Sequence, residues 1–248
     1  MALASAAVLA AWTWAMSCPD ARADEALHLT WFDCWTGAAA ASQETFDCLS
    51  SLGERRLVVG FTLAAPIDSV IGIEAVIDLI HEDAVLPAWW RLEPGGCREG
   101  ALVAEADLSG LEGCADIWGG EGQALLQDYV LGAPRGGANQ ARIKVVAAVP
   151  SSSARSLDAG TAYAAVALSL DNRLTIDPVS CAGCAGHVCL VLNSILVRRL
   201  PGGTGDVFLA VPAPASGNRV TWGAGAGADC EAVPASRVTW GRVKAIYR

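Results

Sequence analysis

Three cysteines occur within residues 181–189, and one of the most apolar runs of the chain follows them. That run, residues 190–197, is rich in Leu, Val and Ile, and its length of about eight residues is typical of a strand covered on both faces. Gly183 and Gly186 favour a tightly folded loop before the strand, because glycine accepts backbone angles that other residues resist. The sequence therefore predicts a cysteine-linked loop that leads into a central strand.

The chain opens with an apolar segment of signal-peptide length, which ends in the small-residue cleavage pattern Ala21-Arg22-Ala23. The segment is too short, and its flanks are wrong, for a membrane-spanning helix. Cleavage after this pattern predicts a signal peptide over residues 1–23 and a single β-sandwich domain over residues 24–248. Lipid attachment at Cys18 is the alternative, and Ala15 disfavours it because a Leu-like residue is expected there.

The cysteine count indicates an oxidising compartment. Cleavage removes Cys18 and leaves eight of the nine cysteines, an even number that favours disulfides in a secreted, extracellular or periplasmic protein. Eight cysteines allow 105 pairings. Neighbours in sequence would close loops of about 15 residues, each contributing about 3 kcal/mol. We therefore expect the local pairs Cys34–Cys48 and Cys97–Cys114, and we also expect Cys181, Cys184, Cys189 and Cys230 to form disulfides.

The cluster of three cysteines around His187 has a metal-binding alternative. Covalent haem attachment needs a histidine directly after the second cysteine, and Ala185 occupies that position. Four zinc ligands within nine residues are closer together than the paired spacing of structural zinc sites. Export favours disulfides over a metal, so we expect neither a metal nor another cofactor.

The charge of the chain bears on its partners. The formal net charge is −9, with 26 acidic and 17 basic residues, and no basic cluster is present. Such a chain is a poor partner for nucleic acid or for an anionic membrane surface. We expect no membrane span, and a polysaccharide or a surface protein as the partner.

Short segments with strand periodicity recur along the chain and are separated by Gly, Pro, Asp and Asn turns. Few segments have a helical pattern. About ten short strands of this kind predict an all-β fold, an antiparallel β-sandwich or jelly roll linked by disulfides. The predicted strands are residues 26–31, 57–63, 70–80, 86–93, 101–108, 124–131, 141–149, 161–170, 188–197 and 206–211.

The segment 86–93 contains the predicted ligand-binding residues. Strand alternation places Trp90 on an apolar face and Trp89 on the opposite face, with Arg91 and Glu93. We expect Trp90 in the core and Trp89 at the surface. Exposed aromatic rings on sandwiches stack on the apolar faces of sugars, so Trp89 and Arg91 are the predicted ligand-binding pair. Most of the other tryptophans after residue 23 are expected to fill the core.

No catalytic residue is predicted. The chain has three histidines, and neither the His-Glu-x-x-His motif nor the Gly-x-Ser-x-Gly motif occurs. His81, which precedes Glu82 and Asp83 at the end of a predicted strand, is the candidate base for an alternative function. That alternative is a secreted hydrolase with a carboxylate or histidine site.

Residues 161–197 together with 57–80 resemble cohesin-like and carbohydrate-binding-module-like β-sandwiches. The chain after residue 23 also resembles uncharacterised cysteine-rich exported bacterial proteins, whose Thr-Trp-Gly…Tyr-Arg tail corresponds here to Thr239–Gly241 and Tyr247–Arg248. These resemblances imply an exported sandwich and supply no catalytic positions. The expected function is non-catalytic binding or assembly at the cell surface or outside the cell, with carbohydrate binding as its specific form.

Overall fold

The computed structural model describes residues 25–176, 178–202, 205–210, 217–223 and Cys230. The predicted signal peptide, Cys18 and the C-terminal Thr-Trp-Gly tail lie outside these residues. The described residues form two short 3₁₀ helices, Ala88–Trp90 and Ser151–Ser153. They also form thirteen strands: β1 Ala26–Trp31, β2 Gln43–Glu44, β3 Glu54–Thr62, β4 Ile67–His81, β5 Leu102–Glu105, β6 Ala115–Asp116, β7 Gln123–Leu131, β8 Gln140–Ala148, β9 Arg155–Leu157, β10 Ala162–Asp171, β11 Val188–Arg199, β12 Val207–Ala210 and β13 Arg219–Trp222.

The strands form two sheets. The five-stranded sheet has the order β1-β3-β10-β5, with β6 beside β10. The eight-stranded sheet has the order β2-β13-β11-β4-β8-β7, with β12 paired to β11 and β9 paired to β4. All pairings are antiparallel except the two-residue pairings of β6 and β2. The predicted class, an antiparallel and disulfide-linked all-β fold, is confirmed, whereas the jelly-roll connectivity stays a prediction.

The two sheets enclose a shared apolar core. A residual void of about 10 Å³ lies between Leu57 and Leu168 of one sheet and Leu79, Ile143 and Leu190 of the other. Such a volume holds about one water molecule, so the side chains fill the space between the sheets. The alternation predicted for β1 and β8 is confirmed, and the strand predicted to be buried on both faces is β11, whose first eight residues are all buried.

One buried carboxylate lies in the middle of the larger sheet. Asp78 on β4 is fully buried and accepts hydrogen bonds from Arg142 on β8 at 2.7 and 2.9 Å. Asn193 on β11 donates a third hydrogen bond to it at 2.6 Å. Because a buried charge is costly unless it is paired and hydrogen-bonded, this trio links the three central strands through one satisfied network.

The strand predicted over residues 86–93 is wrong. Ala88–Trp90 forms a 3₁₀ turn, and both Trp89 and Trp90 are buried. Side chains follow one another at about a third of a turn in a 3₁₀ helix, whereas they alternate by half a turn in a strand. Two consecutive tryptophans can therefore both enter the core, where their rings meet edge to face at 4.8 Å between centroids.

The eight cysteines after residue 23 form four disulfides, as expected, but both expected local pairs are wrong. The observed bridges are Cys34–Cys114, Cys48–Cys184, Cys97–Cys181 and Cys189–Cys230. Their sequence separations run from 41 to 136 residues, because strands that are distant in sequence are neighbours in the sheets. The three cysteines of residues 181–189 bond to three different partners, so they do not form a zinc site.

Candidate functional site

The predicted ligand-binding residues occupy different environments. The Trp89 ring is 0% exposed, so the expectation of a surface ring is wrong, and a ligand cannot stack on it. Its Nε1 donates to Thr175 Oγ1 at 3.1 Å, and its backbone N–H donates to the Ala182 carbonyl at 2.9 Å. Arg91 is partly exposed and pairs with Glu93 at 2.5 Å. Trp89 thus anchors a loop to the core. Because its ring is buried, it does not lie beside Arg91 at the surface.

His81 lies at the end of β4, beneath the loop that carries His187. Its Nδ1 accepts a hydrogen bond from the Asp83 N–H at 3.0 Å, and its Nε2 is buried without a hydrogen-bond partner. A Cβ placed on Gly186 would lie 2.3 Å from that Nε2, so the imidazole packs directly against the glycine backbone. Burial lowers the pKa of His81, although the charges of Asp83 and Glu82 act in the opposite direction. The ring therefore favours the neutral form and lies beneath the protein surface.

His187 connects two further segments. Its Nδ1 lies 2.9 Å from the Gly223 carbonyl oxygen, which makes this nitrogen the protonated donor. Glu82 Oε1 accepts the His187 backbone N–H at 2.9 Å. Within the described residues, neither His81 nor His187 hydrogen-bonds to a Ser, Thr or Cys side chain, the contact by which a base activates a nucleophile. The hydrogen bonds of His187 therefore link its loop to Glu82 and to Gly223.

A polar groove lies on the outer face of the five-stranded sheet. Arg56 on β3 pairs in register with Ser169 on β10, and Ser169 pairs with Val103 on β5, so the three side chains share that face. The Arg56 Nη2 donates to the Asp107 carbonyl oxygen at 2.6 Å and lies 3.7 Å from Glu105 Oε2. Because β10 lies between β3 and β5, the Arg56 side chain crosses over Ser169 to reach these partners.

Two polar atoms beneath this crossing lack partners. Ser169 is 5% exposed, and its Oγ has no hydrogen bond within the described structure. The Nε of Arg56 is likewise buried and unpartnered. A buried donor or acceptor without a partner costs about 1–3 kcal/mol. Both atoms lie beneath the protein surface, next to the groove that Arg56 lines.

The groove has a volume of about 430 Å³ and is rich in charged side chains. Asp107 forms one wall, and its Oδ1 accepts hydrogen bonds from both the N–H and the Oγ of Ser109, at 3.1 and 2.7 Å. These hydrogen bonds lower the pKa of Asp107, so its carboxylate stays ionised at neutral pH. The lining residues are Glu54, Arg56, Glu105, Asp107, Ser109 and Gly110. They offer several oxygen acceptors beside one guanidinium donor.

Neither the protein-family models nor the curated proteins contain a match to this chain. The resemblances inferred from sequence therefore stay predictions. Within the described part of the chain, no helix is both long enough and apolar enough to span a bilayer. No group of three or more His, Cys, Asp or Glu side chains in the same residues is arranged to hold a metal ion.

The groove was not predicted from the sequence. Glu54 and Arg56 are two residues apart at the start of a strand, and charged residues at this spacing are typical of any solvent-exposed sheet face. Glu105 and Asp107 stand about fifty residues away, and only the order β3-β10-β5 brings the two pairs to one face. The one local signal is the Asp107-x-Ser109 sequence, which is typical of a side-chain-capped turn.

Proposed function

We propose that this chain is an exported, non-catalytic binding protein that holds a saccharide in the groove around Arg56. The groove itself supports this proposal most directly, because it combines a ligand-sized volume with both hydrogen-bond donors and hydrogen-bond acceptors. The four disulfides are consistent with a protein that works outside the cell, as secreted or surface proteins do. The predicted signal peptide adds to this from the sequence.

The charge of the groove selects among ligand classes. Three carboxylates face one guanidinium, so an anion such as a phosphate would meet net repulsion. A cation would pair with the carboxylates but could accept no hydrogen bond from the Arg56 guanidinium. A hydroxyl group both donates and accepts. A polyhydroxylated ligand is therefore the class that complements both the carboxylates and the guanidinium.

The mode of binding differs from the one expected at Trp89. The lining residues include no aromatic ring, so recognition depends on hydrogen bonds to carboxylates and to Arg56. Hydrogen bonds to charged groups contribute about 1.5–3 kcal/mol each. Because the groove offers only a few such bonds, we expect weak binding, with dissociation constants of about 1 μM to 1 mM.

The test is a panel of soluble oligosaccharides and insoluble polysaccharides, with binding measured by calorimetry and by pull-down. Asp107→Asn removes one of the three negative charges of the groove but keeps an oxygen that can accept the hydrogen bonds from Ser109. Asp128→Asn removes the same charge from an exposed position on β7 and is the matched control. We expect Asp107→Asn to weaken binding at least about tenfold, the equivalent of one charged hydrogen bond, while Asp128→Asn changes it little.

The hydrolase alternative predicts a different outcome in the same panel. A glycosidase would release reducing ends, through two carboxylates that flank the scissile bond. Release of soluble products by the wild type, lost in Glu105→Gln, would replace the binding proposal with the hydrolase. Equal saccharide binding by the two Asp variants, or no binding across the panel, would exclude the groove as the site.

A further inference from the structure

Four large aliphatic side chains are strongly exposed at one end of the molecule. Leu49 and Leu52 are 73% and 82% exposed, and Ile176 and Val179 are 55% and 73% exposed. The first two precede β3 and the second two follow β10. Since Glu54 at the start of β3 pairs with Asp171 at the end of β10, both loops emerge at the same end of the sheet. We call these four residues the apolar platform.

The two loops of the platform are fixed to each other. Ser51 Oγ accepts hydrogen bonds from the N–H groups of Thr175 and Ile176, both at 3.1 Å. Asn172 Nδ2 donates to the Leu52 carbonyl at 3.0 Å. The disulfide Cys48–Cys184 adds a covalent link between the same two segments of chain. The exposed side chains therefore stand on a backbone with little freedom to fold back over them.

A third loop is bonded to the segment of chain that follows β10. The disulfide Cys97–Cys181 attaches this loop to the segment that carries Val179. The buried Arg98 guanidinium donates to the carbonyl oxygens of Arg173 at 3.0 Å and of Asp171. A pre-organised surface loses less conformational entropy when it binds, which favours a role in recognition.

The rim of the platform is acidic. Asp47, Glu54 and Glu99 are exposed there, and none of them forms an ion pair with a Lys or Arg among the described residues. Three arginines near this end already form ion pairs. Arg55 pairs with Glu44 at 2.6 Å, Arg91 with Glu93 and Arg173 with Asp171. The platform therefore combines an aliphatic centre with unpaired negative charge around it.

We propose that the platform docks a protein segment that presents an apolar face flanked by Lys and Arg, such as a basic amphipathic helix. The charge complementarity of the rim carries this choice. A second copy of the chain would bring two acidic rims together, and an anionic bilayer would be repelled in the same way. The site adjoins the saccharide groove, because Glu54 at the rim also lines that groove. It gives the chain a means of assembly with a protein at the cell surface.

The probe is a fluorescein-labelled synthetic amphipathic helix with Leu on one face and Lys on the other, titrated with the full protein by fluorescence polarisation. A peptide with Glu in place of Lys is its matched control. We expect saturable binding of the Leu/Lys peptide, weakened at least about tenfold by Leu52→Ser with Ile176→Ser. Leu125→Ser changes a residue of similar exposure on β7 and should leave binding unchanged. Salt should weaken binding of this peptide because the rim is exposed.

Each alternative occupant has its own readout. Equal binding of the Glu peptide, no saturable binding of the Leu/Lys peptide, or binding that the Leu52 and Ile176 substitutions do not change would overturn the proposal. Leu52-dependent dimerisation in analytical ultracentrifugation would assign the platform to a second copy. Leu52-dependent flotation with phosphatidylcholine vesicles would assign it to lipid. Leu52 and Ile176 do not line the saccharide groove, so we expect these variants to keep saccharide binding, and a failure of one proposal can be told apart from a failure of the other.

Discussion

The Arg98 guanidinium lies 3.5 Å from the centroid of the Trp89 ring and donates a hydrogen bond to the Trp89 carbonyl oxygen at 3.0 Å. Both side chains are fully buried. Burial lowers the Arg98 pKa to about 10, with the Asp171 charge acting in the opposite direction, and the group remains a cation at neutral pH. This stacked pair joins the 3₁₀ turn to the disulfide-linked loops, and it explains why Trp89 serves the fold instead of a ligand.

Trp89→Ala and Trp90→Ala should destabilise the protein by similar amounts. Each removes a fully buried ring, and the ring of Trp89 also packs against Trp222 at 5.0 Å between centroids. Large-to-small changes of this kind cost about 3–5 kcal/mol. The measurement is the free energy of unfolding in denaturant. A cost within about 1 kcal/mol for Trp89→Ala alone would show that its ring is exposed in solution.

Arg98→Met should be strongly destabilising, whereas Arg91→Met should not. Removing the Arg98 guanidinium leaves three carbonyl oxygens without their donors, and each unsatisfied group costs about 1–3 kcal/mol. Arg91 is partly exposed and pairs with the largely buried Glu93, so Arg91→Met leaves a single carboxylate without its partner and should cost less than Arg98→Met. Thermal and denaturant unfolding of the two variants, side by side, checks this. Arg98→Lys should recover the charge without the forked geometry and remain less stable than wild type.

Stability should fall as the pH is lowered from 7 to about 5. Burial lowers the pKa of His28 from 6.5 to about 4 and also lowers that of His81. The unfolded chain therefore binds more protons than the folded chain below about pH 6.5, so unfolding becomes more favourable there. Melting temperatures of wild type and of His28→Gln with His81→Gln should be compared at pH 7 and pH 5. The double variant should lose less stability over this interval; equal losses would place the proton uptake elsewhere.

The disulfide Cys48–Cys184 should contribute more stability than a local bridge would. It closes 136 residues, and in the chain-entropy description a loop of that length corresponds to about 5 kcal/mol at most. Peptide mapping without reduction should recover the linked peptides of Cys48 with Cys184 and of Cys97 with Cys181. Cys48→Ser with Cys184→Ser should lower the unfolding free energy and weaken binding of the Leu/Lys peptide. Recovery of Cys34 linked to Cys48 would contradict the observed pairing.

Several features were predictable because they are local. Apolar and polar residues alternate along β1 and β8, and this pattern alone assigns their buried faces. The dense apolar run of β11 predicts a strand covered on both sides. An even number of cysteines after residue 23 predicts their oxidation, since unpaired thiols are rare in exported proteins. Strand type and redox state therefore followed from neighbouring residues and from composition.

Which strands and which cysteines become neighbours was decided by the tertiary structure. Cys34 bonds to Cys114 because strand order brings together loops that are 80 residues apart, which no local spacing encodes. Trp89 enters the core because a 3₁₀ turn replaces the expected strand, and packing against Trp222 and Arg98 stabilises that turn. Arg56 and Asp107 meet because the strand order β3-β10-β5 places only one strand between Arg56 and the end of β5, which Asp107 follows. Local patterns determine how a segment alternates, whereas contacts distant in sequence decide which segments become neighbours.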